Sequence, residues 1–141
     1  MPEIDIHLHP MVVHFPIAFI IGALVFAAIG LLFKKEILVQ TAFNLYVLAV
    51  FITPLIVATG LEEAEELHLQ HPVLNWHRLF AFSVMWLALA SLPLLWFIKK
   101  KLKRYFNVIF ILVLVSLTIL VILTAYNGGR MVYEYAVGVE H

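Results

Sequence analysis

The chain has 141 residues, 64% of them hydrophobic and 13% charged, with nine basic residues balanced by nine acidic ones. A single water-facing domain of this length cannot hide so much apolar surface, and a mean hydropathy of +1.02 points to hydrocarbon as the solvent instead. Zero net charge argues against a nucleic-acid partner, and the lack of cysteine excludes disulfides, thiolate ligands, iron–sulfur clusters and covalently attached c-type haem.

The opening MPEIDIHLHP carries two acids and no Lys or Arg. It lacks the basic start and small-residue cleavage site of a signal peptide, so the apolar run after it is expected to remain as a span. Four such runs follow, at 11–33, 37–59, 79–98 and 106–126. About 20 residues at ~1.5 Å rise cross a ~30 Å hydrocarbon layer. Lipid offers the backbone no partners, so these runs are expected to be helices, and no strict polar–apolar alternation suggests barrel strands. Pro10 suits a helix start. Pro16 withholds a donor from the Val12 carbonyl and is expected to kink the first span, as Pro54 is to bend the second. Between the second and third spans, 61–71 reads as a short amphipathic outer helix that stops before Pro72. Its Glu62, Glu63, Glu65 and Glu66 would form a solvated face in a first turn that favours anions. Asn127-Gly128-Gly129 is expected to end the fourth helix, after which MVYEYAVGV returns as an extended or amphipathic strip over the outer mouth.

Orientation follows from charge. Lys34 and Lys35 separate the first two spans, and Lys99, Lys100, Lys101, Lys103 and Arg104 separate the last two. The positive-inside rule makes these loops cytoplasmic and puts both termini outside, periplasmic in a bacterial inner membrane. All seven histidines and every carboxylate except that of Glu36 then share the outer side. The expected fold is an all-α, four-transmembrane-helix bundle, one domain over 1–141. Aligned at an offset of 63, His14 falls on His77, Ala18 on Ala81, Phe19 on Phe82 and Phe43-Asn44 on Phe106-Asn107. This suggests a duplicated helical hairpin about an axis along the membrane normal, with His14 and His77 as a facing pair.

An ionisable residue inside a span is a functional candidate by default. Below His14, Ala18 and Gly22 continue one helix face, and below His77 come Ala81 and Met85, with Ala88 near them. Small side chains under paired histidines suggest a slot for a planar macrocycle, a b-type haem ligated by His14 and His77. Arg78 and Arg130 would meet its propionates, and Trp76, Phe15, Phe80 and Phe82 would pack its edge. Small-residue stripes also let plain membrane helices pack closely, interfacial Trp and Tyr are ordinary anchors, and His7, His68 and His141 read as exposed. An alternative is a copper or zinc site built from His9, His14, His71 and His77 with Glu66 or Glu134. Such a cluster could also respond to pH. A third reading is a cofactor-free membrane subunit that anchors a redox partner. Expected partners are lipid and a quinol or cytochrome, with room for a homodimer. No serine–histidine–carboxylate set or phosphate loop is visible.

The run His9-Pro10-Met11-Val12-Val13-His14-Phe15-Pro16-Ile17-Ala18 resembles the HPxxVHFPIA signature of a family of predicted bacterial membrane proteins, catalogued as domain of unknown function 2231. The resemblance continues through Thr59-Gly60, His77, Gly128-Gly129, Val132-Tyr133 and Gly138-Val139, and so covers nearly the whole chain. It implies a four-helix membrane protein in redox company, since some members are fused to cytochrome c-type domains. The family's recurrent histidines correspond to His9, His14 and His77. The loop after Gly60 departs from the family pattern, and no role for His68 or His71 is carried over.

Overall fold

The computed structural model describes residues 8–66, 68 and 70–136, apart from the side chains of Leu8 and Glu66. It consists of α1 (Leu8–Val12), α2 (His14–Leu32), α3 (Glu36–Glu66), α4 (Pro72–Lys101) and α5 (Lys103–Tyr133). The first two form one span, His9–Leu32, interrupted at Val13. Pro16 explains the interruption, because it offers no N–H to the Val12 carbonyl. Four helices are therefore long and apolar enough to cross a membrane, and only 22–33% of the most apolar window of each is buried inside the protein. The outward remainder, including Leu32, Phe51, Leu55, Trp86 and Leu112, is a continuous apolar belt that water would not tolerate.

α2 pairs with α3 and α4 with α5 as hairpins, and α5 against α2 and α3 against α4 close a four-sided bundle. The hairpins are structural copies. The buried residues of α2 are Pro16, Ile20, Ala23, Ala27 and Gly30. Each has a buried counterpart 68 residues on, at Val84, Ala88, Ser91, Leu95 and Ile98. Ala42, Tyr46, Ala49 and Thr53 correspond in the same way to Phe110, Leu114, Leu117 and Val121. The burial pattern of the first hairpin recurs in the second at an offset of 68 and not at the expected 63. At 63 the buried face of α2 would fall on Leu79, Ser83, Trp86, Ala90 and Pro93, none of which is buried. The approximate twofold axis thus relates His77 to His9, and His14 to Phe82.

The helices overrun the expected spans at the histidine end. α3 continues to Glu66, so Glu62, Glu63 and Glu65 lie in its last turns and not in the first turn of a separate surface helix. α5 passes through Asn127-Gly128-Gly129 to Tyr133, with no left-handed cap at the glycines. Of the expected returning strip, Met131–Tyr133 is helical, Glu134 and Tyr135 form a turn, and 137–141 lie outside the described residues.

The bundle centre departs from the symmetry at one polar contact. Tyr46, fully buried, points its hydroxyl at the Ala88 carbonyl (3.0 Å) and at Ser91 Oγ (2.8 Å), whose own hydrogen goes to the Leu87 carbonyl (2.6 Å). The equivalent positions, Leu114 and Ala23, are apolar, so this bond joins α3 to α4 on one seam only. Tyr46→Phe is expected to destabilise the bundle by about 1 kcal/mol, measured by unfolding in mixed micelles. Combined with Ser91→Ala, the loss should be clearly less than additive; full additivity would mean that the two hydroxyls do not interact.

Candidate functional site

Two imidazoles meet across the twofold axis at the histidine end. His9, on α1, places Nδ1 at 3.1 Å from the Ile56 carbonyl and 3.1 Å from Thr59 Oγ1. Thr59 spends its hydroxyl hydrogen on the same Ile56 carbonyl at 2.8 Å. Both oxygens can therefore only accept, which fixes the proton on His9 Nδ1. His77, in the second turn of α4, donates Nδ1–H to the Thr124 carbonyl at 2.9 Å. With Nδ1 carrying this proton, Nε2 is the nitrogen whose lone pair is available in the neutral form of either ring. The ring centroids lie 6.4 Å apart at an interplanar angle of 86°.

Glycine makes the approach feasible. Each accepting carbonyl also serves the helix residue four positions on, Gly60 in one hairpin and Gly128 in the other. A Cβ at Gly60 would stand 2.7 Å from His9 Cε1, and one at Gly128 would stand 3.3 Å from His77 Cε1. Any larger residue one turn above the carbonyl would block the imidazole from reaching it. This is the work of Gly128, which sequence reading had made a helix stop. Thr59, Gly60, Thr124 and Gly128 were not singled out as site residues. Their signal was a shared spacing, since each glycine follows its histidine by 51 residues.

His14 is exposed and does not pair with His77; the ring that faces His77 is that of His9. The reason is helical phase. Two residues separate His14 from buried Pro16, which is roughly 200° around the helix. Ala18 is exposed with His14, Gly22 is half-buried against Leu45, and Ala81 is half-buried on α4. The stripe of Ala18 and Gly22 therefore lines no slot under His14. Phe15 and Trp76 are exposed, Phe80 stacks on Trp76 with centroids 6.1 Å apart, and Phe82 is half-buried.

His71 caps α4, accepting the Val73 N–H on Nδ1 at 3.2 Å, and packs against Tyr135 with centroids 4.4 Å apart. His68 is exposed in a left-handed turn (φ 47°), and His7 and His141 lie outside the described residues. Among the described residues no three His, Asp or Glu side chains are gathered into a metal-binding group, so His9, His14, His71 and His77 form no four-ligand cluster. The two arginines differ. Arg130 is bonded to Glu134 Oε2 and to the Tyr135 hydroxyl, each at 2.8 Å. Arg78 has a buried Nε with no hydrogen-bond partner among the described residues. It lines a cavity of about 370 Å³ with Gln70, His71, Pro72, Leu74 and Asn75, directly beside His77 in sequence.

A family model described as a predicted membrane protein (DUF2231) matches residues 5–141. No curated protein and no solved structure matches the chain.

Gly60→Ala should displace the His9 ring and destabilise the protein by about 1–3 kcal/mol, the usual range for overpacking. Gly128→Ala, with 0.6 Å more room for its Cβ, should cost less. Unfolding of both variants in the same detergent checks the order; equal costs would show that the glycines are not matched to their imidazoles.

Proposed function

This chain belongs to the DUF2231 family of predicted membrane proteins, and we propose that it binds a b-type haem through His9 and His77 and carries single electrons across one face of the membrane. The observation that supports this reading is the symmetric pair of imidazoles. Both have Nδ1 tied to a backbone carbonyl, which leaves Nε2 as the nitrogen able to ligate, the arrangement that orients metal-ligating histidines and raises their basicity. A metal–imidazole bond is about 2.0–2.1 Å, so two rings gripping one metal from opposite sides hold their centroids roughly 6 Å apart. The 6.4 Å separation matches that span. Two protein ligands are too few for a closed zinc site, which takes four, whereas a haem, which brings its own four nitrogens, would need only His9 and His77 from the protein.

The remaining residues have roles consistent with this. Arg78 is the better propionate partner, because its Nε has no hydrogen-bond partner among the described residues, where Arg130 is committed to Glu134. Bound haem supplies reversible one-electron chemistry. Thr59, Gly60, Thr124 and Gly128 hold the two rings in register for it. By the positive-inside rule the histidine end is the outer one. In a bacterial inner membrane this sets the haem near the periplasm, within reach of a quinol or a cytochrome. A single copper ion between the two Nε2 atoms is the second reading, favoured by rings already close enough to share a bare ion.

The visible spectrum of the protein purified in mild detergent tests this. The expected result is a Soret band with sharp reduced α and β bands, lost in His9→Ala and in His77→Ala and kept in His14→Ala. Full haem retention in either of the first two variants would remove that residue as a ligand. A colourless preparation with stoichiometric copper would favour the second reading, and a colourless, metal-free one would favour a cofactor-free anchor.

A further inference from the structure

The opposite end of the bundle carries a feature that haem binding does not use. On the α3–α4 seam, Phe43, Val47, Leu92, Pro93 and Trp96 line an apolar groove of about 380 Å³. Both of its aromatic walls are topped by an ammonium group. Lys99 Nζ lies 4.3 Å from the Phe43 ring centroid, and Lys100 Nζ lies 3.6 Å from that of Trp96. Lys99 also donates to Gln40 Oε1 at 2.8 Å, which anchors it across the seam to α3. An ammonium has three donors, so Lys99 keeps capacity for an anion after that bond. Lys101, Lys103 and Arg104 follow at the same end, where Glu36 is the sole acid of the sequence.

The fold supplies its own control. Shifted by the 68-residue repeat, the equivalent seam between α5 and α2 presents Ile111, Val115, Leu24, Val25 and Ala28. The two lysines become Leu31 and Leu32. At these equivalent positions no aromatic residue and no cation stands, so the aromatic walls and the two lysines over them do not follow from the bundle geometry alone.

We infer that the α3–α4 groove is a binding site for an anionic phospholipid, its acyl chain lying on Phe43, Val47, Leu92 and Pro93 and its phosphate held by Lys99 and Lys100. Apolar walls call for a hydrocarbon chain, and the paired ammoniums call for a negative headgroup at membrane depth, as basic pockets between transmembrane helices do. A free phosphate would leave the groove empty, and a neutral quinone head would leave both cations unmatched.

Trp96 can report on the site. With Trp76→Phe and Trp86→Phe it becomes the sole tryptophan of the three, and the full chain can be reconstituted in phosphatidylcholine vesicles. Dibrominated phosphatidylglycerol should then quench Trp96 at a mole fraction about fivefold or more below that required of dibrominated phosphatidylcholine. Coincident quenching curves would overturn the inference. Lys99→Gln with Lys100→Gln should bring the curves together, and a preference that survives in this variant would also overturn it. Raising the salt concentration on the chain with both lysines intact should narrow the gap without any charge substitution; a salt-insensitive gap counts against the site. A reporter on the equivalent seam, Ala28→Trp in a background without the native tryptophans, should show no lipid preference. Equal preference there would mean bulk attraction and no specific groove.

Discussion

In each hairpin of this bundle an imidazole Nδ1–H reaches a carbonyl of the neighbouring helix, and the candidate site depends on that pair. An imidazole near hydrocarbon without a partner is costly, so the carbonyls of Ile56 and Thr124 fix the depth, tautomer and direction of His9 and His77 together. The same bond explains why glycine stands one turn beyond each carbonyl. The two bonds repeat one another at the 68-residue offset, His9 to Ile56 and His77 to Thr124, and bring the ring centroids to 6.4 Å.

The topology was legible because it is dictated by solvent. Spans long enough for the bilayer, lysines at one end and histidines at the other can be read from composition alone, as can the break that Pro16 causes. His77 was legible for the same reason, since a histidine at the edge of a span needs a partner. What composition could not reveal was the inward face of the first span. Along α2 both faces are apolar, with Phe15, Ile21 and Val25 turned outward and Ile20, Ala23 and Ala27 turned inward. Hydrophobic patterning is silent where the solvent itself is hydrocarbon. The usable signal was size. The small residues Ala23, Ala27 and Gly30 mark the packed face, whereas the stripe through Ala18 and Gly22 led toward His14. The repeat register failed similarly, because matching letters in an apolar chain at 63 outweighed the burial pattern that repeats at 68. The Asn127-Gly128-Gly129 run looked like a stop signal. Only the approach of His77 shows that Gly128 is there for space.

The two hairpins have kept their symmetry at one end and lost it elsewhere. At the histidine end the imidazoles, their carbonyls and their glycines are duplicated position for position. At the centre Tyr46 and Ser91 join α3 to α4, while the equivalent seam stays apolar. At the lysine end Lys99 and Lys100 stand where the first hairpin has leucines. The proposed ligand, held from two sides, would need equivalent arms, whereas the proposed lipid contact on the outside of the bundle would make no such demand.

If the protein takes up haem as proposed, the low-temperature electron paramagnetic resonance spectrum of its oxidised form probes the imidazole pair most directly. Ligation by two rings whose planes stand near 86° to one another should give a low-spin ferric signal of the strongly anisotropic kind produced by orthogonal ligand planes, and the His9→Ala substitution should abolish it. A high-spin signal from the unsubstituted protein, or a low-spin signal that persists without the His9 imidazole, would contradict a site built from these two rings.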